Sequence, residues 1–134
     1  MKHFTMNEMT RSATAKRYGI DNTPNDEQKA CLKALVEKIL DPLREAWGAP
    51  IIVDSGYRCP RLNKIVRGSS TSQHLLGQAA DIHTVKDTVA ENKKLFQLIQ
   101  KLKLPYDQLI DEYGYNWIHV SYGPRNRRRI LHLS

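Results

Sequence analysis

The chain has 134 residues, enough to bury a core but too few for two ordinary domains, so one folded unit spanning residues 1–134 is expected. Apolar residues make up 40% and charged residues 26% of it, and no apolar run approaches the roughly 18 residues a membrane span needs, which excludes a membrane-crossing chain. A formal net charge of +7 favours anionic partners, with nucleic acid and anionic cell-wall polymers both admissible.

The first nine residues lack an apolar h-region and a small-residue cleavage site, so synthesis in the cytoplasm is expected unless a leader precedes them. Thr5 and Glu8 have the spacing of a capping box for a short first helix. Gly19, Asn22 and Pro24 cluster in a turn. From Glu27 to Trp47, Cys31, Leu32, Leu35, Val36, Ile39, Leu40 and Leu43 recur at spacings of three and four, the signature of an amphipathic helix. Pro42 is expected to kink or restart it, and Gly48-Ala49-Pro50 to close it. Cys31, on the apolar face, reads as a buried thiol; with Cys59 so distant, a disulfide between them is left open.

Ile51-Ile52-Val53 reads as a short strand feeding Ser55-Gly56-Tyr57-Arg58, and Leu62 to Val66 as one or two helical turns before a loop over 68–71. Ala79 to Thr84 reads as a strand that turns Asp81 and His83 to one side and Ile82 to the other. Val89, Leu95, Leu98, Ile99 and Leu102 mark a second helix over 88–102, ended by Pro105. Two alternating runs, 108–112 and 116–122, joined by Tyr113-Gly114-Tyr115, predict an antiparallel hairpin, and residues 128–133 a last edge strand. Arg125, Arg127, Arg128 and Arg129 beside Pro124 read as a solvated cationic turn.

Within these elements His74, Asp81 and His119 offer one metal ion two neutral imidazoles and a carboxylate. Three protein ligands with a vacant fourth position make the catalytic zinc arrangement, whereas a structural site is more often closed by four, usually with thiolates. Gly77 permits a tight path between the first two ligands. His83 is a tempting fourth ligand by its side of the strand, but reads better as a support or pocket wall; His3 and His132 carry no functional pattern. The hairpin brings an acid near His119; Glu112 is favoured over Asp111, which a regular strand turns to the opposite face. Such a carboxylate can take a proton from metal-activated water and pass it to a leaving amine. Arg58 and Ser72, taken alone, read as a salt-bridge partner and a loop-capping hydroxyl. Trp117 reads as core or pocket wall.

Ser55-Gly56-Tyr57-Arg58, Asn63, Ser72-x-His74-x-x-Gly77-x-Ala79-x-Asp81 and Trp117-x-His119-Val120-Ser121 together resemble the M15 peptidases, zinc D-Ala-D-Ala carboxypeptidases and related cell-wall peptidases, subgroup A in particular. Phe4-Thr5, Thr14-Ala15, Ile20 to Pro24 and Leu43-Arg44 extend the likeness over most of the chain. The resemblance implies an α+β fold of the D-Ala-D-Ala carboxypeptidase and hedgehog-like kind, with an antiparallel sheet, covered by helices, presenting His74, Asp81 and His119 to Zn2+. It also implies hydrolysis of peptide bonds in peptidoglycan stem peptides, with Arg58 at the substrate or its developing oxyanion and Ser72 at the substrate. In some branches the general base stands three residues before the third ligand, where this chain has Asn116; in the other pattern a Gln-Leu-Ile-x-Glu segment supplies it, mapping to Glu112.

Three functions follow as expectations. The first is a zinc peptidase acting at the cell wall, a D,D-carboxypeptidase or an endolysin-like enzyme of a phage or prophage that reaches the wall through a holin. The second, left open by Asn116, is a zinc-containing module that binds peptidoglycan without catalysis. The third, nucleic-acid binding through the C-terminal arginines, has no accompanying motif or aromatic interleaving. The scissile bond and the oligomeric state are not written in the sequence.

Overall fold

Capping chemistry starts the chain in the computed structural model, which describes residues 1–134. Thr5 Oγ1 accepts from the Glu8 N–H while the Thr5 N–H donates to Glu8 Oε1, the predicted box, and opens α1 (Met6–Thr10). Ser12 caps α2 (Ala13–Arg17). The turn that follows is pinned by Asn22, whose amide donates to Thr10 O at 2.8 Å and Tyr57 O at 2.9 Å and whose carbonyl accepts from Cys59 N at 2.8 Å.

The long amphipathic stretch runs as one helical path in three pieces: α3 (Asp26–Leu35), a π turn (Val36–Leu40) and α4 (Asp41–Trp47). Pro42 has no N–H to donate and its ring crowds the carbonyl four residues back, so the widened turn falls immediately before it. Gly48, at φ +76°, closes α4 with a left-handed cap. Leu32, Leu35, Val36, Ile39, Leu40 and Leu43 are all buried, as their spacing predicts. Cys31 departs from expectation: at the margin of the stripe, it is half-buried. Both cysteines are free, and the Cys59 sulfur accepts from Leu62 N at the start of α5 (Pro60–Ile65).

Five strands form one sheet: β1 (Ile51–Ser55), β2 (Ala79–Thr84), β3 (Gln108–Glu112), β4 (Trp117–Ser121) and β5 (Arg129–Leu133), in the order β1-β2-β4-β3-β5. The first four, which carry Asp81, His119 and Glu112, pair antiparallel as the resemblance implies, and β5 adds to the edge parallel to β3. The reason is the path of residues 122–128, which cross the start of β3 instead of turning back beside β4. Buried Asp107 holds that crossing: its backbone carbonyl accepts from Arg129 N, and its carboxylate binds Arg127 through N, Nε and Nη2 at 2.9, 2.8 and 3.1 Å.

Ala80 and Ile82 of β2, Leu109 of β3 and Ile118 and Val120 of β4 face α3, α4 and α6 (Val89–Lys101) and make one apolar core with them. The inner side of α6 is Asn92, Leu95, Phe96 and Ile99; Val89 and Leu102, counted into its apolar face by spacing, are exposed because they sit at the helix ends. The opposite side of the sheet is left to a cleft, walled by the chain between α5 and a 3₁₀ turn (Gln73–Leu76).

Candidate active site and metal centre

Strand alternation turns Gln108, Ile110 and Glu112 of β3, Trp117 and His119 of β4 and Asp81 of β2 toward the cleft. Register then sets them in rows. Asp81 is beside His119 and His119 beside Ile110, while Trp117 is beside Glu112 one row along. Asp111 faces the other way, buried and bound by His132 of β5, so Glu112 is the hairpin acid that reaches the site.

His74 comes from the 3₁₀ turn. Ser72 Oγ accepts its backbone N–H at 3.2 Å, and Gly77, at φ +72°, sends the chain into β2. A side chain at Gly77 is excluded twice over, by that φ and by Gln28 O, which lies 2.5 Å from where a Cβ would stand. A shift in register at Asp54 bends the end of β1, and beyond it the Gly56 carbonyl is 2.6 Å from His74 Nδ1.

That contact fixes the tautomer. A carbonyl only accepts, so Nδ1 carries the proton, and in the neutral ring Nε2 is a lone pair. His74 Nε2 is aimed at Asp81 Oδ1 across 3.2 Å, and His119 Nδ1 meets the same oxygen at 3.0 Å. The two rings stand edge to face, 5.1 Å apart, and one donor atom from each of the three residues lies within 4.8 Å of the others. Electron-pair donors gathered this closely call for a cation among them. Two imidazoles and a carboxylate are the donor set that suits a divalent first-row metal, and a backbone carbonyl holding the far nitrogen is how ligating histidines are commonly oriented. The residues therefore fit a metal.

When the rings are protonated instead of metal-bound, burial pushes the Asp81 carboxyl up, but the charge of the His74 imidazolium and hydrogen bonds from His119 and His74 outweigh it and hold Asp81 well below the usual carboxylate range. Glu112 goes the other way. Burial and the Asp81 charge raise it, against the pull of His119, a bond from the Trp117 indole N–H to Oε2, and His74. A half-buried carboxylate raised toward neutrality beside the metal-type cluster is suited to taking up a proton. Arg58 is also half-buried; desolvation lowers it, and Asp81 and Glu112 partly compensate. Its Nη2 donates to Ser72 Oγ at 3.3 Å while Nε, buried, has no partner, so Ser72 both caps the turn and aims the guanidinium.

All six residues singled out from sequence, His74, Asp81, His119, Glu112, Arg58 and Ser72, line one cleft of about 620 Å³. His83 does not. Although it shares a side of β2 with Asp81, its Nε2 lies 3.1 Å from Asp54 and its Nδ1 3.5 Å from Asp87, so it is neither a fourth ligand nor a wall of the cleft. Arg125, Arg127, Arg128 and Arg129 are all exposed, as a solvated cationic turn requires, and Arg125 and Arg127 also line the cleft. Sequence reasoning also passed over Arg67, Gln108 and Tyr113 on the cleft wall and Trp117 as the partner of Glu112. The Glu112–Trp117 pairing was inferable from the hairpin register alone.

A sheet floor carrying two imidazoles and a carboxylate, with a half-buried glutamate and a guanidinium in the same cleft, is suited to metal-assisted hydrolysis. The family model for Peptidase M15 matches residues 2–121, and the chain belongs to that family: it is a peptidase. A search of curated proteins found no match.

Proposed function

We propose that this chain is a zinc-dependent peptidase that hydrolyses peptide bonds in the stem peptides of bacterial peptidoglycan. The observation that carries the reading is the convergence of His74, Asp81 and His119 with Glu112 and Arg58 in one cleft of a chain of the Peptidase M15 family. His74 Nε2, an Asp81 oxygen and a His119 ring nitrogen would hold the ion. When bound, Zn2+ supplies Lewis-acid polarisation of a carbonyl and acidifies water.

The remaining work falls to the chain's own groups. Glu112 Oε1 or Oε2 removes the proton from attacking water and returns it to the leaving nitrogen, and the Trp117 N–H holds the carboxylate in place between the two transfers. Arg58 offers free guanidinium donors to the oxyanion or to a terminal carboxylate of the substrate, with Ser72 fixing its angle. The four arginines that line the cleft suit it to peptides bearing carboxylates.

Digestion of purified muropeptides by the zinc-loaded protein, with products identified by mass, tests the reading and gives the bond cleaved. Release of free D-Ala marks a carboxypeptidase and an internal amine an endopeptidase. Glu112→Gln is expected to keep its metal and lose about 10²- to 10⁴-fold in kcat. Retention on insoluble peptidoglycan with no new amine from the wild-type protein would instead identify a wall-binding module.

A further inference from the structure

Four arginines line the cleft, and only Arg58 has a place in the chemistry above. Arg127 is spent on Asp107, which is fully buried and takes three bonds from it. This clamp fixes the loop over 122–128 where it crosses the start of β3. Arg125, carried on the same loop, comes no nearer to Asp107 than 3.6 Å and leaves its side chain 61% exposed, so its donors are largely free. Nothing on the cleft wall consumes them, because the two acids there, Asp81 and Glu112, belong to the metal-type cluster and the base.

Arg125 lies 3.6 Å from Asp107, the residue before Gln108, and register locates that end of β3 relative to the reacting centre. Ile110 shares the row of His119 and Asp81; Glu112 and Trp117 form the row toward the hairpin tip; Gln108, whose N–H donates to Ser121 Oγ, marks the row toward the loop. At about 3.4 Å per residue, Gln108 is about 7 Å from the metal row and about 14 Å from the Glu112 row. The loop end of the cleft is thus separated from the metal row by about the length of two residues of extended peptide.

We propose that Arg125 forms a second anion subsite, taking a carboxylate that the peptide substrate carries two residues from the scissile bond, in addition to any terminal carboxylate held by Arg58. The proposal rests on the peptidase reading above for its substrate class. It makes Arg125 a specificity-determining residue, and Asp107 and Arg127 the clamp that preorganises it.

Calorimetric titration of the zinc-loaded Glu112→Gln protein, whose turnover is slowed about 10²- to 10⁴-fold, tests it with two peptides. One is a stem peptide with free carboxylates; the other is the same peptide with all carboxylates amidated except the C-terminal one. Amidation is expected to raise Kd about fivefold to tenfold in the Arg125 background and less than about twofold after Arg125→Gln. With Arg125→Glu the order of the two peptides should reverse, which a merely structural role of Arg125 does not produce. Equal Kd values, absence of binding by both peptides, or loss of the preference through Arg67→Gln in place of Arg125→Gln overturns the subsite. If the preference is found but the wild-type protein leaves both peptides intact, the hydrolytic reading falls and the subsite stands. Cleavage of both with equal Kd gives the converse.

Discussion

Glu112 and Trp117 are one unit of the site, because a cross-strand pair places an indole donor on the carboxylate that faces the cluster. The indole bond stabilises the ionised form of Glu112 and so works against burial and Asp81, which raise it. Trp117→Phe removes the donor and keeps an aromatic ring against Tyr113. The folded-state value of Glu112 then rises further, and since only the ionised carboxylate accepts a proton, the acidic limb of kcat/KM moves to higher pH. A displacement of under about one unit and a several-fold fall in kcat with little change in KM are expected from a pH–rate series. A limb that stays in place, or moves to lower pH, removes Glu112 from the role of base. Asp81 answers to a different measurement. Asp81→Asn leaves the shape but removes the charge that both imidazoles address, and metal affinity should fall by more than about a hundredfold in a chelator competition, since loss of outer partners alone costs about 10- to 100-fold.

At the scale of elements, α6, β2 and the β3–β4 hairpin meet at Asn92, a buried amide with every polar atom in use. Its Oδ1 accepts from Thr84 N and Oγ1 at 3.0 and 2.8 Å, and its Nδ2 donates to Asp87 Oδ1 at 3.1 Å and Tyr115 O at 2.9 Å. Asn92→Ala strands the Thr84 and Tyr115 groups in the interior and should cost about 2–4 kcal/mol in urea unfolding. Faster hydrogen exchange at the hairpin tip, which carries Glu112 and Trp117, should accompany it. No periodicity announces Asn92, because apolar spacing counts only apolar residues; the same blindness put Val89 and Leu102 on the inner face of α6 when they are exposed. The elements themselves were legible, since β2, the hairpin and the capping box rest on local alternation and local hydrogen bonds. The direction of β5 was not, because it depends on Asp107 capturing Arg127, a contact across 20 residues. The site residues were legible through the motifs that carry the M15 resemblance, whereas Arg67 and Arg125 reach the cleft only through the paths of loops that no spacing describes.

Taken whole, the molecule separates its two tasks by the faces of one sheet: an apolar core with α3, α4 and α6 on one, polar chemistry on the other. The three candidate ligands enter from the 3₁₀ turn, β2 and β4, segments that come together only in the folded chain. A metal that needs all three therefore binds the folded state far better than the unfolded one, and must stabilise it by mass action. At free Zn2+ a thousandfold above Kd the gain is about 4 kcal/mol. For a chain of this length that corresponds to a rise in Tm on the order of 10 °C, reversed by chelation. At the same free Zn2+ the gain should fall to under about 1.4 kcal/mol in Asp81→Asn and persist in full in Arg125→Gln and Glu112→Gln, because those two lie outside the ligand set. Scanning calorimetry of the four proteins, with and without metal, separates a built metal centre from adventitious binding at the surface. If Zn2+ leaves Tm unchanged, or raises it equally in Asp81→Asn, the convergence of His74, Asp81 and His119 is not a metal centre and the hydrolytic mechanism loses its electrophile.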